Sequence, residues 1–192
     1  MSEPSPQRPR VALFGGAFDP PHIGHLEFCR ALAGDRCFDE VWVLPTSRHP
    51  FGKGMAPFEH RIAMCRAAFA ALGPKVRIRD DEERLGGEGF TIDLVAHLRS
   101  RYPHHSFTLA LGSDNYGQRH NWKDFQELEK LVEVRFFGRR GFERETVELG
   151  IDAPFPEATS AEIRERIAAG DLPADLMPPA VAEYIEEHGL YR

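Results

Sequence analysis

Two histidines, His22 and His25, stand at the expected start of a helix, directly after a short apolar run and the pair Gly15 and Gly16. Residues three positions apart on a helix share one face, so both imidazole rings can be directed at one ligand. The glycines let the backbone come close to that ligand, where any Cβ would clash. The arrangement is suited to holding a nucleoside triphosphate, and the alternative is a strand-turn-helix with two incidental surface histidines.

The residues just before the histidines predict how this helix begins. Asp19 is followed by Pro20 and Pro21, and proline already has helical φ and needs no amide partner in the first turn. We expect Asp19 to cap the helix. An anion at the helix start would meet unpaired amides and the positive end of the helix dipole.

The whole segment VALFGGAFDPPHIGHL, from Val11 to Leu26, resembles the GGxFDPxHxGH motif of nicotinate-nucleotide adenylyltransferases, within the HxGH nucleotidyltransferase superfamily. The resemblance runs from about residue 10 to residue 192, and includes the ending LMPPAVAEYIEEHGLYR. It implies an enzyme that transfers the adenylyl group of ATP to nicotinate mononucleotide, forming deamido-NAD and pyrophosphate in NAD biosynthesis. Ala17 departs from the family's usual threonine or serine.

Roles at this first motif follow from the resemblance. It implies that His22 and His25 donate to the triphosphate, with His25 nearest the α-phosphate in the transition state. It also includes Gly15, Gly16 and Phe18 in the ATP-binding segment.

A second phosphate-binding position is expected at TSAEIR, where Thr159 and the glutamate three residues later predict a capping box. The same helix start would present amides, hydroxyls and the guanidinium of Arg164 to a phosphate. The stretch resembles the family's ISSTxIR motif but departs from it at Ala158 and Ala161. The assignment to ATP therefore rests on Ser160 and Arg164, with Thr159 beside them.

The segment FTLALGSDNYGQRHNW runs from an apolar strand into a turn at Gly112 and Asp114. Asp114 could accept hydrogen bonds from the ATP ribose, or be a plain turn aspartate. Trp122 could stack on a flat ring or pack in the core. The resemblance places this tryptophan against the pyridine ring, and the amide of Lys123 beside the ring's carboxylate.

Phe90 and Thr91 resemble the family's Tyr-Thr pair, with the Thr91 hydroxyl helping to hold nicotinate. Leu94 stands where a second threonine is common. The substrate is therefore less certain than the reaction, and an adenylyltransferase for nicotinamide mononucleotide or phosphopantetheine is the alternative.

Two cationic stretches complete the predicted site. Arg48, His49 and Lys53 lie in a loop suited to phosphate, and Lys53 matches the lysine of the family's PPHK-like element with a shift of about one position. Lys53 is assigned to catalysis and to substrate binding. Arg139 and Arg140 follow the fifth strand, and the family's arginine at this point lies near the nucleotide. The alternatives are a solvated loop and a charged strand end.

These residues must be positioned by alternating strands and helices. The sequence predicts strands near 10–15, 39–44, 75–79, 106–111 and 131–137, and helices near 23–33, 57–72, 91–101 and 123–130, with two short helices near 160–169 and 179–187. This alternation indicates an α/β fold, a Rossmann-like doubly wound parallel sheet of about five to six strands with a small C-terminal helical segment. The two glycine turns should open on one crevice at the carboxyl ends of the strands.

The composition of the chain restricts the classes of protein to which it can belong. The 192 residues are 42% hydrophobic, without an apolar run near the roughly 18 residues of a membrane span, and we expect no membrane role. We expect one domain over residues 10–192, after a disordered lead at 1–9 without the apolar core of a signal peptide. Three cysteines without CxxC spacing favour reduced thiols and a cytoplasmic location. The net charge of −6 argues against nucleic acid as a partner.

The expected partners are ATP and nicotinate mononucleotide, with Mg²⁺ accompanying ATP and no protein metal ligands assigned. A homo-oligomer is left open. A class I aminoacyl-tRNA synthetase would share HIGH, but should be much longer, with a KMSKS-type loop and a basic surface. A nucleotide-binding module with weakened catalysis is the alternative that Ala17, Ala161 and Leu94 raise.

Overall fold

The computed structural model describes residues 8–48, 54–138 and 155–192. Within these ranges lie five strands, β1 (Arg10–Gly16), β2 (Glu40–Pro45), β3 (Val76–Ile78), β4 (Ser106–Gly112) and β5 (Glu133–Phe137). The same ranges contain seven α-helices, α1 (Ile23–Gly34), α2 (Phe58–Phe69), α3 (Asp81–Leu85), α4 (Thr91–Arg101), α5 (Phe125–Leu131), α6 (Ser160–Ala168) and α7 (Pro179–His188).

The strands form one parallel sheet in the order β3-β2-β1-β4-β5. Val11 of β1 pairs with Glu40 on one side and with Phe107 on the other, so β1 is central. The strand order reverses between β1 and β4, and this is where open α/β sheets bind ligands. The predicted Rossmann-like parallel sheet is confirmed.

Apolar side chains cover both faces of the sheet. On β1, Ala12 and Phe14 join one buried cluster, and Val11 and Leu13 join the other, because successive side chains point to opposite faces. Helices α1, α2, α6 and α7 cover the first face, and α4 and α5 cover the second. Such two-sided burial explains why the central strands are apolar almost throughout.

Most predicted elements are confirmed to within a few residues, and two differences concern the site. The short helix α3 was not predicted, because four of the five residues in its sequence DEERL are charged and no apolar period is visible. The 57–72 helix is α2 followed by a 3-10 turn at Ala70–Leu72. In the described ranges, no helix is long and apolar enough to cross a membrane. The domain boundaries stay a prediction, and residues 1–7 lie outside the described residues.

Candidate active site

A cleft of about 470 Å³ opens at the carboxyl ends of β1 and β4. Gly15 and Gly16 line it at the end of β1, and Gly112, which ends β4, lines it together with Asp114. The predicted convergence of the two glycine turns on one crevice is confirmed. We call the side formed by residues 15–25 the histidine end, and the side formed by residues 89–94 and 121–123 the tryptophan end.

His22 and His25 begin helix α1 and cap it together. His22 is the N-cap residue, and its Nδ1 accepts a hydrogen bond from the His25 amide at 3.4 Å. His25 Nδ1 accepts from the His22 amide at 3.2 Å, and the rings stack with centroids 3.6 Å apart. The prediction that Asp19 caps this helix is wrong, because the histidine pair forms a reciprocal capping box itself.

This capping determines which ring nitrogen of each imidazole carries the proton. A ring nitrogen that accepts from an amide carries no hydrogen, so a neutral imidazole must carry it on Nε2. Both rings line the cleft, and Nε2–H is a hydrogen-bond donor. The two histidines are therefore oriented as donors by the backbone of their own helix.

Two residues inside the motif serve the histidines by packing. A Cβ on Gly24 would lie 3.0 Å from the His22 ring and 3.3 Å from the Pro156 carbonyl oxygen, so the ring needs a glycine there. Phe18, predicted as an ATP contact, is buried with a φ of +48° and meets the His25 ring edge-on at 4.9 Å. It supports His25 from the core side.

Asp19 joins segments that are far apart in sequence. Its carboxylate is buried and accepts from the Ala56 amide at 3.1 Å and from the Tyr191 hydroxyl at 2.8 Å. Arg164 Nη1 donates to the Asp19 main-chain oxygen at 2.6 Å and lies 3.6 Å from Oδ2. Ser160 Oγ donates to the Pro20 carbonyl at 2.9 Å. The first turn of α6 is thus fastened to the residues that precede α1.

The predicted cap of α6 is confirmed for Thr159, whose Oγ1 accepts from the Glu162 amide at 3.1 Å. Thr159, Ser160 and Arg164 lie beside the histidine end and are not part of the cleft wall. The Arg164 side chain is 36% exposed, so it keeps access to solvent and to a ligand above α1.

Arg61 was missed by the sequence analysis. Its buried guanidinium donates to the carbonyls of Ala17 at 2.8 Å, Thr46 at 2.7 Å and Ala56 at 2.8 Å, and so joins the turns after β1 and β2. Burial lowers the pKa of Arg61. A signal was available, because Arg61 shares the apolar face of α2 with Met64.

Glu82 in helix α3 was also missed. It is 7% exposed, lines the cleft and accepts from the Ser47 amide at 2.9 Å. Burial raises its pKa to about 7, although the Ser47 hydrogen bond and the charge of Arg61 oppose the shift. Nothing in the acidic run DDEER distinguishes this glutamate from its neighbours.

The tryptophan end brings together the residues predicted for substrate. Thr91, Trp122 and Lys123 all line the cleft. Trp122 is half-buried, with its ring edge-on to Phe125 at 6.0 Å. Lys123 Nζ lies 4.3 Å from the Phe90 ring centroid. These contacts leave part of the indole facing the cleft.

The turn after β4 depends on its glycine. A Cβ on Gly112 would overlap Asp114 Oδ1, so only glycine lets this carboxylate fold back beside the strand end. Gly112 and Asp114 both line the cleft. Lys53 and Arg139 lie outside the described residues, as do His49 and Arg140.

Comparisons with known proteins agree with this geometry. A family model for cytidylyltransferase-like proteins matches residues 13–166. A Myxococcus xanthus protein named "Probable nicotinate-nucleotide adenylyltransferase" is 38% identical over 182 residues, covering 95% of this chain and 94% of its own. The chain belongs to the nicotinate-nucleotide adenylyltransferase family.

Further similarities support membership of the nicotinate-nucleotide adenylyltransferase family. A Chlorobaculum parvum protein of the same name is 35% identical, covering 95% of this chain and 99% of its own. The structure of Plasmodium falciparum nicotinic acid mononucleotide adenylyltransferase complexed with NaAD has a TM-score of 0.79 at 20% identity, covering 95% of this chain and 97% of that one. This last likeness shows the shared fold.

Proposed function

We propose that this chain transfers the adenylyl group of ATP to the phosphate of nicotinate mononucleotide, forming deamido-NAD and pyrophosphate. Membership of the nicotinate-nucleotide adenylyltransferase family supports this activity. The observation that carries it is the histidine pair, capped so that both rings are donors, on the wall of a cleft between β1 and β4.

The reaction needs little specialised chemistry from the protein. A phosphate monoester has a second pKa near 6 and is largely a dianion at neutral pH, so it needs no general base. What remains is to align two highly charged molecules and to neutralise charge on the α-phosphate and on the leaving pyrophosphate. Donors fixed in place before the substrate arrives meet this need.

Each end of the cleft has its own task in the proposal. His22 and His25 donate to the triphosphate, with His25 nearest the α-phosphate. Ser160 and Arg164 contact the β- and γ-phosphates, and Asp114 holds the ribose. The geometry that supports these roles is the attachment of α6 to the residues before α1. Lys53 and Arg139 are proposed, from the sequence alone, to join them.

The tryptophan end is proposed to bind the nicotinate ring. Trp122 offers a flat aromatic face, Thr91 a hydroxyl, and Lys123 its backbone amide for the ring's carboxylate. All three line the same wall of the cleft, which supports a common ligand.

We propose that Mg²⁺ accompanies ATP. This ion commonly keeps several waters and binds substrate phosphates together with few protein ligands. Bound to the triphosphate, it would neutralise charge on the leaving pyrophosphate. In the described ranges, no three His, Cys, Asp or Glu side chains form a group that could hold a metal.

The test is a substrate comparison with the purified protein, ATP and Mg²⁺. We expect pyrophosphate release and a product of deamido-NAD mass with nicotinate mononucleotide, and at least about tenfold lower kcat/KM with nicotinamide mononucleotide. Preference for nicotinamide mononucleotide or phosphopantetheine would reassign the substrate. ATP binding without any product would indicate a binding module. The cytoplasmic location and any homo-oligomer stay predictions.

A further inference from the structure

We propose that Tyr191 is a positioning residue for ATP, whose hydroxyl holds the Asp19 carboxylate so that Arg164 remains available to the triphosphate. The identity of the ligand rests on the proposed function. Tyr191 lies 172 positions from Asp19 in the sequence and outside both phosphate motifs.

The starting observation is the set of groups around the Asp19 carboxylate. The residue is 2% exposed, and Oδ1 accepts from the Tyr191 hydroxyl at 2.8 Å and from the Ala56 amide at 3.1 Å. Among the described residues, Arg164 forms the ion pair with this carboxylate: its Nη1 lies 3.6 Å from Oδ2 and 2.6 Å from the Asp19 main-chain oxygen. Two neutral donors therefore share the carboxylate with the Arg164 guanidinium, and the charge of Arg61 also acts on it.

This sharing determines how strongly Asp19 attracts Arg164. A buried carboxylate that loses a donor must find another, because leaving it unsatisfied is costly. The adjacent guanidinium can supply two parallel N–H bonds to a carboxylate. Without the Tyr191 hydroxyl, Asp19 would draw Arg164 into a closer ion pair and compete with the phosphates for it.

The backbone conformation and the packing of Tyr191 fix the position of its side chain. Its φ is +65°, a backbone conformation that non-glycine residues seldom adopt, and its ring packs against the core cluster beneath α7. Burial and the charge of Asp19 raise the pKa of Tyr191 well above its usual range. The hydroxyl therefore stays protonated and remains a donor at every pH at which the enzyme would be assayed.

The experiment compares Tyr191→Phe with Tyr184→Phe. Tyr184 lies on α7, and its hydroxyl bonds His60 Nδ1 at 3.0 Å, so the control loses a similar hydrogen bond away from Asp19. Calorimetric titration with a nonhydrolysable ATP analogue should show about tenfold weaker binding for Tyr191→Phe, as expected for loss of one hydrogen bond to a charged group. Tyr184→Phe should bind the analogue like the wild type.

A double-mutant cycle with Arg164→Lys separates positioning from a general structural effect. If Tyr191 acts through Arg164, Tyr191→Phe should change the affinity by less than about twofold in the Arg164→Lys background. Wild-type affinity in Tyr191→Phe, equal weakening in Tyr184→Phe, or additive effects in the cycle would each overturn the proposal. Wild-type protein that binds the analogue but forms no deamido-NAD would refute the proposed function and leave this test intact.

Discussion

The two ends of the cleft are built differently. At the histidine end, the residues before α1 are held by partly buried hydrogen bonds from α2, α6 and Tyr191, which are far from them in sequence. At the tryptophan end, the contacts are local or exposed, such as Lys123 with Asp93 at 3.5 Å. Gly86, Gly87 and Gly89, all with positive φ, precede α4 there.

The difference matches the chemistry proposed for each end. Adenylyl transfer depends on donors that are already in place when charge develops, so rigidity at the histidine end is useful. Recognition of a ring needs an apolar or aromatic surface and a few placed polar groups, which local contacts can supply. Substitutions at the histidine end should therefore affect stability, turnover or ATP binding, and those at the tryptophan end should affect the KM for nicotinate mononucleotide.

The largest expected effect is at Arg61. Arg61→Met removes a buried guanidinium and leaves several partly buried carbonyl groups without a donor, and we expect a loss of about 4 kcal/mol in the free energy of unfolding. Chemical denaturation measures it. Arg66→Met is the control, because Arg66 is exposed on the same helix and should change stability by less than about 0.5 kcal/mol. Equal losses of stability in Arg61→Met and Arg66→Met would contradict the conclusion that the histidine end depends on Arg61.

His25→Ala should lower kcat by at least about a hundredfold while the fold is kept, because one fixed donor is lost. Steady-state rates with saturating ATP and far-UV circular dichroism measure the two quantities. His104→Ala is the control, since this exposed histidine lies just before β4, at the amino ends of the strands and away from the cleft. Near-normal turnover in His25→Ala would show that the capped pair is structural only.

Glu82→Gln should change how stability depends on pH. The pKa of Glu82 is raised from its ordinary value of 4.5 to about 7, so its stabilising contribution is present below pH 4.5 and lost as pH rises through 7. Between about pH 5.5 and 8.5 the wild type should lose about 2 kcal/mol that the variant retains. The control is Glu83→Gln at the exposed neighbouring position. Parallel pH profiles for wild type and Glu82→Gln would contradict the raised pKa.

Trp122→Leu should raise the KM for nicotinate mononucleotide by about tenfold, because ring stacking is worth about 1–3 kcal/mol. The KM for ATP should stay within about twofold. Tyr116→Leu is the control, since Tyr116 is a half-buried aromatic of the same segment that packs on Phe136 instead of lining the cleft. If Trp122→Leu raised the KM for ATP more than the KM for nicotinate mononucleotide, the assignment of Trp122 to the nicotinate ring would be wrong.

Local patterns predicted much of this molecule. Apolar runs located the central strands, and the glycine turns after β1 and β4 were correctly expected to share one crevice. The Thr159 cap also follows from local spacing, since a hydroxyl and an amide three residues apart suffice. Such features depend on neighbours in sequence, which one chain displays directly.

Long-range polar contacts could not be predicted in this way. Asp19 fits the sequence signature of a helix cap, but the fold brings it a tyrosine 172 positions away and leaves the cap to His22. The buried Glu82 accepts a hydrogen bond from the amide of Ser47, 35 positions earlier. No local spacing encodes these partners, because they meet only after the sheet has assembled.

The pairing of β1 with β4, which are neighbours in the sheet but far apart in sequence, has a consequence for folding. The cleft draws on residues from 13 to 155, so a chain with only part of its sheet formed has no binding site. A ligand that binds only the native state stabilises it in proportion to the logarithm of its concentration. Bound nucleotide should therefore protect the protein from unfolding by heat and from cleavage by proteases. The concentration of nucleotide in the cell would then influence the lifetime of the protein.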